Sequence, residues 1–193
     1  MERELIVTGI GGQGIQLAAA VVARAAVEEN REVQVFGSYG GMMRGGPTES
    51  TVVIADRPVE TPPTVGTAWS VILMHHEHAD HALGCLRPGS VLLVNSTVVS
   101  GARVGPGCKV VEVPASALAV EAGHIMAASM VMIGAHAALT GLVSLPSLLR
   151  ASSESLPAYR ARHAALNEQA LEAGFASVEP GSVPAWPERV TAG

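Results

Sequence analysis

A glycine-rich loop near the start of the chain constrains its fold more than any other feature. The loop spans residues 9–14 with the sequence GIGGQG; the apolar run Leu5–Val7 precedes it and an Ala-rich run, Ile15–Glu29, follows it. Glycines have no Cβ, so they let the backbone turn tightly and approach a ligand closely, while the first N–H groups of the next helix point at that ligand. The order strand, glycine loop, helix predicts an α/β fold with an anion-binding cradle.

The loop also satisfies the G-x-G-x-x-G pattern of dinucleotide-binding proteins, but the rest of that motif is missing. Such a unit needs an acidic residue at the end of its second strand, roughly 20 residues on, to hold the ribose. The second strand, predicted at Glu32–Phe36, continues instead into GSY at 37–39. A P-loop lysine is also missing, because Gly14 is followed by Ile15 and Gln16. The loop therefore does not predict a classical NAD or P-loop nucleotide site.

Composition excludes several classes of protein. The chain has 193 residues, which suits one domain, and is 48% hydrophobic but only 15% charged. Typical domains have about 25% charged residues, so we expect another subunit to cover part of this surface. The net charge of −5 and the lack of a Lys/Arg cluster argue against binding to nucleic acid. Two cysteines, Cys85 and Cys108, cannot hold an iron–sulfur cluster or a four-cysteine zinc ion.

We expect a cytoplasmic location. Residues 1–4, MERE, are too charged to begin a signal peptide. The uncharged run Ile125–Val143 has the length of a membrane span, but it contains polar residues such as His136 and Thr140. We interpret it as a helix buried in protein and predict no contact with a membrane.

Short apolar segments typical of strands alternate along the chain with longer segments typical of helices, which is the pattern of an α/β domain. Strands are predicted at Glu4–Thr8, Glu32–Phe36, Glu49–Ala55, Ser70–Met74, Ser90–Val94 and Cys108–Glu112. Helices are predicted at Ile15–Glu29, His76–Cys85, Ala115–Ala122, Ile125–Leu142, Pro146–Ser153 and Pro157–Ala173, with Gly174 as a helix C-cap. The connection from 36 to 49 is too short for a crossover helix, so the third strand is expected to be antiparallel. We predict a single-domain, three-layer α/β/α fold with a mixed, mostly parallel sheet.

Two further regions bear on assembly. The first helical run is apolar on nearly every face, so we expect it to be covered on both sides, by the sheet and by a partner subunit. Residues 176–193 contain prolines and lack periodicity, which predicts a C-terminal tail that wraps a neighbour, following a domain at 1–175.

A second glycine-rich segment, residues 37–47, supplies the other half of a candidate site. Its sequence, GSYGGMMRGGP, combines serine, tyrosine and arginine with five glycines. One interpretation is a flexible loop with Arg44 exposed to solvent. The other is a functional loop, because it leaves the carboxyl end of the second strand beside the first glycine loop. We favour a phosphate or carboxylate site.

Taken together, these segments resemble the gamma subunit of 2-oxoacid:ferredoxin (acceptor) oxidoreductases, most closely the 2-oxoglutarate type. The resemblance runs from about Glu4 to Phe175. It is carried by GIGGQG at 9–14, SYG at 38–40 with RGG at 44–46, the strand 50–55 ending in DRP at 56–58, PG at 88–89, NS at 95–96, Met130 to Gly134, and Asn167, Ala170 and Gly174.

The resemblance implies a subunit of a larger complex. Related enzymes decarboxylate a 2-oxoacid oxidatively on thiamine diphosphate, pass electrons through iron–sulfur clusters and release an acyl-CoA. Their alpha, beta and ferredoxin-like delta parts mainly hold the diphosphate and the clusters, while the gamma part helps assembly and coenzyme A binding. We therefore predict no catalytic residue and no cofactor bound by this chain alone, with coenzyme A as a shared substrate.

The candidate binding residues follow from the two glycine segments, with Arg44 expected to contact an anionic group. They are Gly11, Gly12, Gln13, Gly14, Ser38, Tyr39, Arg44, Gly45 and Gly46. The chain departs from the family at two positions. Met42 stands where an acidic residue is common, and Ser129 stands where an asparagine is common. The substrate and the roles of those two side chains therefore stay open.

A histidine-rich segment, HHEHADH at 75–81, has pairs at ligand-like spacing, such as His75 and His78. HExxH is absent, and we predict a polar strand-to-helix turn without a metal. Two alternatives to the subunit remain open: a stand-alone nucleotide- or coenzyme A-binding protein, and a structural homodimer without activity.

Overall fold

In the computed structural model the described residues are 1–39, 45–62, 65–155 and 163–186, with Ser38 and Tyr39 described in their backbone only. Within these ranges the strands are β1 (Glu2–Ile10), β2 (Glu32–Tyr39), β3 (Pro47–Ala55), β4 (Ala68–Leu73), β5 (Leu86–Asn95) and β6 (Lys109–Val113). The helices are α1 (Ile15–Glu28), α2 (Asp80–Gly84), α3 (Ala115–Glu121), α4 (Ala128–Thr140), α5 (Leu145–Glu154) and α6 (Ala164–Ala176).

The strands form one mixed sheet in the order β2-β3-β1-β4-β5-β6. β3 runs antiparallel to both of its neighbours, β1 and β2, whereas β1, β4, β5 and β6 are parallel. The carboxyl ends of β1, β2, β4, β5 and β6 therefore share one edge with the start of β3. The predicted mixed sheet with an antiparallel third strand is confirmed.

The two faces of the sheet are covered unequally. A large core lies between one face and the helices α1, α3, α4, α5 and α6, and it is built mostly from Ala, Val, Leu, Ile and Met. The other face carries a smaller core covered by α2 and by extended segments around Val59, Val65, Val99 and Val104. The α/β layers are thus those predicted, but one helical layer is a single short helix.

Several predicted helix boundaries differ from the structure. The last helix, predicted at Pro157–Ala173, is described from Ala164 to Ala176, and residues 157–162 of that prediction lie outside the described residues. The helix predicted at His76–Cys85 begins only at Asp80, because His78 has a φ of 60°, which no α-helix accommodates. The long helix begins as a 3-10 turn at Ile125–Ala127 and ends at Thr140.

Gly174 does not cap a helix but lies inside α6. A methyl group there would overlap the backbone carbonyl of Val131, so this glycine lets α4 and α6 approach closely. Gly134 plays the matching part on α4, facing the carbonyl of Leu171.

Part of α1 is covered on its second side by α5 of the same chain. α5 packs beside α1, and Arg150 pairs with Glu28 at 3.0 Å between Nε and Oε2. Gln16, Ala20 and Val27 remain exposed along α1.

The described part of the tail also packs on its own chain. Backbone N–H groups of Gly181, Val183 and Ala185 donate to carbonyls at the end of α4, at 2.8, 3.0 and 2.7 Å. The indole N–H of Trp186 donates to the Leu142 carbonyl at 3.1 Å. Residues 187–193 lie outside the described residues. No helix within the described ranges combines the length and apolar character needed to cross a membrane.

Candidate functional site

The two glycine segments meet at the carboxyl edge of the sheet. Ile10, the last residue of β1, lies opposite Pro47, the first residue of β3. This antiparallel register brings the turn after β1 against the segment before β3, and the Gly11 N–H donates to the Gly46 carbonyl at 2.9 Å. The structure therefore brings Gly11 and Gly46 together, as expected for loops that leave one sheet edge.

Gln13 holds the first loop in place. Its Oε1 accepts from the Ile10 N–H at 3.0 Å, and its Nε2 donates to the Met74 carbonyl at 3.3 Å. The folded side chain leaves no room for a methyl group on Gly9, which would overlap Gln13 Oε1. Because both ends of its amide contact backbone groups, Gln13 acts as a positioning residue that ties the loop to the end of β4.

Gly14 forms the junction between the loop and α1. It is the N-cap residue, with a φ of 76°, in the left-handed region that favours glycine. A methyl group on it would lie 2.7 Å from Ser129 Oγ, at the start of α4. Sequence reasoning treated Ser129 as a departure from the family and missed this contact, since the two residues are far apart along the chain.

The start of α1 favours negative charge. The first backbone N–H groups of a helix have no partner within it, and they form the positive end of the helix dipole. Gly14 supplies no side-chain cap, and the first turn contains no acidic residue to neutralise this end.

Two glycines leave the site open on its outer side. Gly12, with a φ of 101°, and Gly45, with a φ of 80°, have no described atom within 4 Å of the position of an added methyl group. Among the described residues, none blocks the approach of a ligand to the backbone of these two glycines. The backbone of Tyr39 pairs with Thr48 at the same edge, which brings the end of β2 to this region. Arg44 lies outside the described residues.

Sheet order beside the glycine loop differs from that of a classical dinucleotide fold. In a classical dinucleotide fold the strand that carries the ribose-binding acid lies next to the first strand. Here β3 lies between β1 and β2, and it runs in the opposite direction. β2 is therefore not the neighbour of β1, as the acid-bearing strand is in the classical fold.

The chain is similar to known proteins over nearly its whole length. Residues 4–177 match the model of the family described as pyruvate ferredoxin/flavodoxin oxidoreductase. One relative, the 2-oxoglutarate synthase subunit KorC of Methanocaldococcus jannaschii, is 34% identical over 161 residues, covering 81% of this chain and 85% of the relative.

Two solved structures share the fold. The gamma subunit of a keto/oxoacid ferredoxin oxidoreductase from Geobacter sulfurreducens has a TM-score of 0.77 and 30% identity, covering 92% of this chain and 96% of that one. The 2-oxoglutarate:ferredoxin oxidoreductase of Magnetococcus marinus, solved with 2-oxoglutarate, coenzyme A and succinyl-CoA, has a TM-score of 0.81. Its identity is 20%, and the match covers 94% of this chain and 33% of that one, so this likeness concerns the fold alone.

Proposed function

This chain belongs to the pyruvate ferredoxin/flavodoxin oxidoreductase family, as a gamma subunit of a 2-oxoacid:ferredoxin oxidoreductase, and we propose that its two glycine segments form one wall of the coenzyme A site of that complex. The resemblance inferred from the sequence is thereby confirmed at the level of the subunit. The proposal about the site rests on one observation: Gly11 and Gly46 pair through their backbones at the edge where α1 begins.

The chemistry of coenzyme A suits this edge. Its diphosphate and ribose phosphate are anions, and the unpaired N–H groups at the start of α1 attract anions. Gly12 and Gly45 leave the backbone accessible there. The Magnetococcus structure contains coenzyme A, and one third of its chain has the fold of this chain, so coenzyme A is the ligand we propose here.

Further roles within the site follow from the same proposal. Arg44 would pair with a phosphate of coenzyme A, and Ser38 and Tyr39 would line the adjoining wall. Gln13 keeps the loop in position through its two backbone contacts. The chain thus binds and orients coenzyme A, whose thiol accepts the acyl group made elsewhere in the complex.

Partner subunits complete the enzyme in this proposal. Thiamine diphosphate would supply the decarboxylation chemistry in the alpha and beta subunits. The two cysteines of this chain cannot provide the four thiolates of an iron–sulfur cluster, so the clusters belong to partners such as a ferredoxin-like delta subunit. We propose that the complex works in the cytoplasm.

A pair of glycine variants tests the coenzyme A site. Gly12→Ala and Gly141→Ala both place a methyl group at a positive φ, 101° and 60°, with no described atom within 4 Å. Only Gly12 belongs to the proposed site, whereas Gly141 caps α4. In the complex reconstituted with its partner subunits, we expect Gly12→Ala to raise the KM for coenzyme A by about tenfold, a loss of ~1.4 kcal/mol of binding, while Gly141→Ala leaves it unchanged.

Arg44→Ala should raise the same KM, because it removes the proposed partner of a phosphate. Arg57→Ala, a change beyond the opposite end of β3, is its control. If Gly12→Ala and Arg44→Ala both left the KM for coenzyme A at the wild-type value in an assembled complex, this role for the chain would be refuted.

A further inference from the structure

The turn between β4 and α2 gathers three potential metal ligands that the coenzyme A site does not use. His75, His76 and Glu77 each offer one ligand atom, and these atoms lie within 4.8 Å of one another. The two imidazole rings are stacked, with centroids 4.4 Å apart and planes 24° from parallel. His75 is half-buried, whereas His76 and Glu77 are exposed, so the side chains of these two residues have room to change rotamer.

Both ends of this turn are held by hydrogen bonds or regular structure. At its start, the Met74 N–H donates to the Thr8 carbonyl at 2.9 Å, and the Met74 carbonyl accepts from Gln13 Nε2 at 3.3 Å. At its other end, His78 adopts a left-handed φ of 60° and α2 begins at Asp80. The backbone that carries the three ligands is therefore largely organised before any ion arrives.

We propose that His75, His76 and Glu77 bind a divalent ion of the zinc class. Two imidazole nitrogens and a carboxylate oxygen suit zinc and its neighbours among the transition metals rather than magnesium or calcium, which prefer oxygen. Zinc lies about 2.0–2.2 Å from such atoms, so its ligands are at most about 4.3 Å apart. Because the lone pairs of two stacked rings point in nearly the same direction, the exposed His76 ring must swing out of the stack for both nitrogens to face one ion, and the exposed Glu77 side chain then completes the set. Water or an exogenous anion completes the coordination.

This inference departs from the prediction of a metal-free turn made from the sequence. That prediction weighed histidine pairs spaced three residues apart on a helix, such as His75 and His78. The structure ends the strand at Leu73 and begins α2 at Asp80, so those spacings do not fall on a helix. Three consecutive residues of a non-helical turn come together instead.

Metal binding has a specific signature at His75. Its Nδ1 accepts a hydrogen bond from the Glu77 N–H at 3.1 Å. A metal bound to Nδ1 occupies the lone pair that accepts from the Glu77 N–H and so displaces this hydrogen bond. A metal on Nε2 of the neutral ring requires the proton to sit on Nδ1, which then no longer accepts. In both cases the Glu77 amide loses its partner, so its NMR resonance must move.

His124 provides a matched control on another part of the surface. It is exposed, and its Nδ1 accepts from the Met126 N–H at 3.0 Å, the same local bond as at His75. It lies before α4, outside the proposed cluster. Zinc that binds histidines indiscriminately would affect both places.

The test uses the full chain without an affinity tag, stripped with a chelator and titrated with zinc against a chromophoric indicator. We expect one zinc per chain, with an affinity that falls by at least about tenfold in His76→Ala and stays unchanged in His124→Ala. In ¹⁵N-labelled protein the Glu77 amide should shift at one equivalent of zinc while the Met126 amide does not. Failure to bind zinc, equal affinity in His76→Ala, or an unmoved Glu77 amide would each overturn the proposal.

Discussion

Replacing Gly14 by alanine should destabilise the fold through two separable effects. The residue has a φ of 76°, and the left-handed conformation costs a residue with a Cβ roughly 1–2 kcal/mol. The new methyl group would also lie 2.7 Å from Ser129 Oγ, closer than non-bonded atoms approach. Overpacking of this kind typically costs ~1–3 kcal/mol. We therefore expect Gly14→Ala to lower the free energy of unfolding by about 2–5 kcal/mol.

A second substitution isolates the steric part. Ser129→Ala removes Oγ and leaves its Cβ as the neighbour, 3.8 Å from the added methyl group, which is an ordinary contact. In that background Gly14→Ala should cost only the roughly 1–2 kcal/mol of backbone strain. Gly141→Ala places a methyl group at a φ of 60° with no described atom within 4 Å, so it should lower the free energy of unfolding by a similar amount. This variant therefore measures the backbone strain alone.

Urea unfolding followed by far-UV circular dichroism measures these differences, provided the transition is two-state with a constant slope. The double-mutant cycle should give a coupling energy of about 1–3 kcal/mol between positions 14 and 129. The reasoning is refuted if Gly14→Ala costs the same in both backgrounds, since the loop would then not rest on α4.

Two other perturbations probe the core. Gly174→Ala should lower the free energy of unfolding, measured in urea, by more than about 3 kcal/mol. The reason is that the added methyl group overlaps the backbone carbonyl of Val131, which cannot rotate away. A loss as small as that at an exposed helical site would contradict the close crossing of α4 and α6. Burial lowers the pKa of His136 from 6.5 to about 4. Between these values the unfolded chain binds a proton that the folded chain does not, so stability should fall by up to about 3 kcal/mol as the pH drops from 6.5 to 4. His136→Gln should flatten this dependence, and equal slopes in the wild type and in His136→Gln would rule out His136 as the source.

Elements with a clear local pattern could be predicted from the sequence. The strand around Leu5–Val7 and the helix from Ile15 follow from apolar runs separated by glycines, and both are present. The antiparallel third strand followed from the length of one connection, because a parallel return requires more residues than 37–46 provide.

Features that depend on contacts between residues far apart in the sequence could not be predicted from local sequence patterns. Gly174 near the end of a helical run is typical of a C-cap, yet its role comes from the carbonyl of Val131 on another helix. His136 lies in an apolar run, but its partner, Ser70 Oγ at 3.1 Å, is supplied by β4. Hydrogen-bond partners supplied by distant strands can be identified only once the order of the strands in the sheet is known.

The same distinction governs the glycine loop itself. Locally it satisfies the dinucleotide fingerprint, and a missing acid was the sole signal against that ligand. The physical reason lies in topology: β3 separates β2 from β1, and the segment that leads into β3 lies against the loop, where the Gly46 carbonyl accepts from the Gly11 N–H. A carboxylate there would select hydroxyl groups and repel phosphate, whereas the first N–H groups of α1 favour anions. On the proposed function, this edge therefore suits the phosphates of coenzyme A rather than the ribose of a dinucleotide.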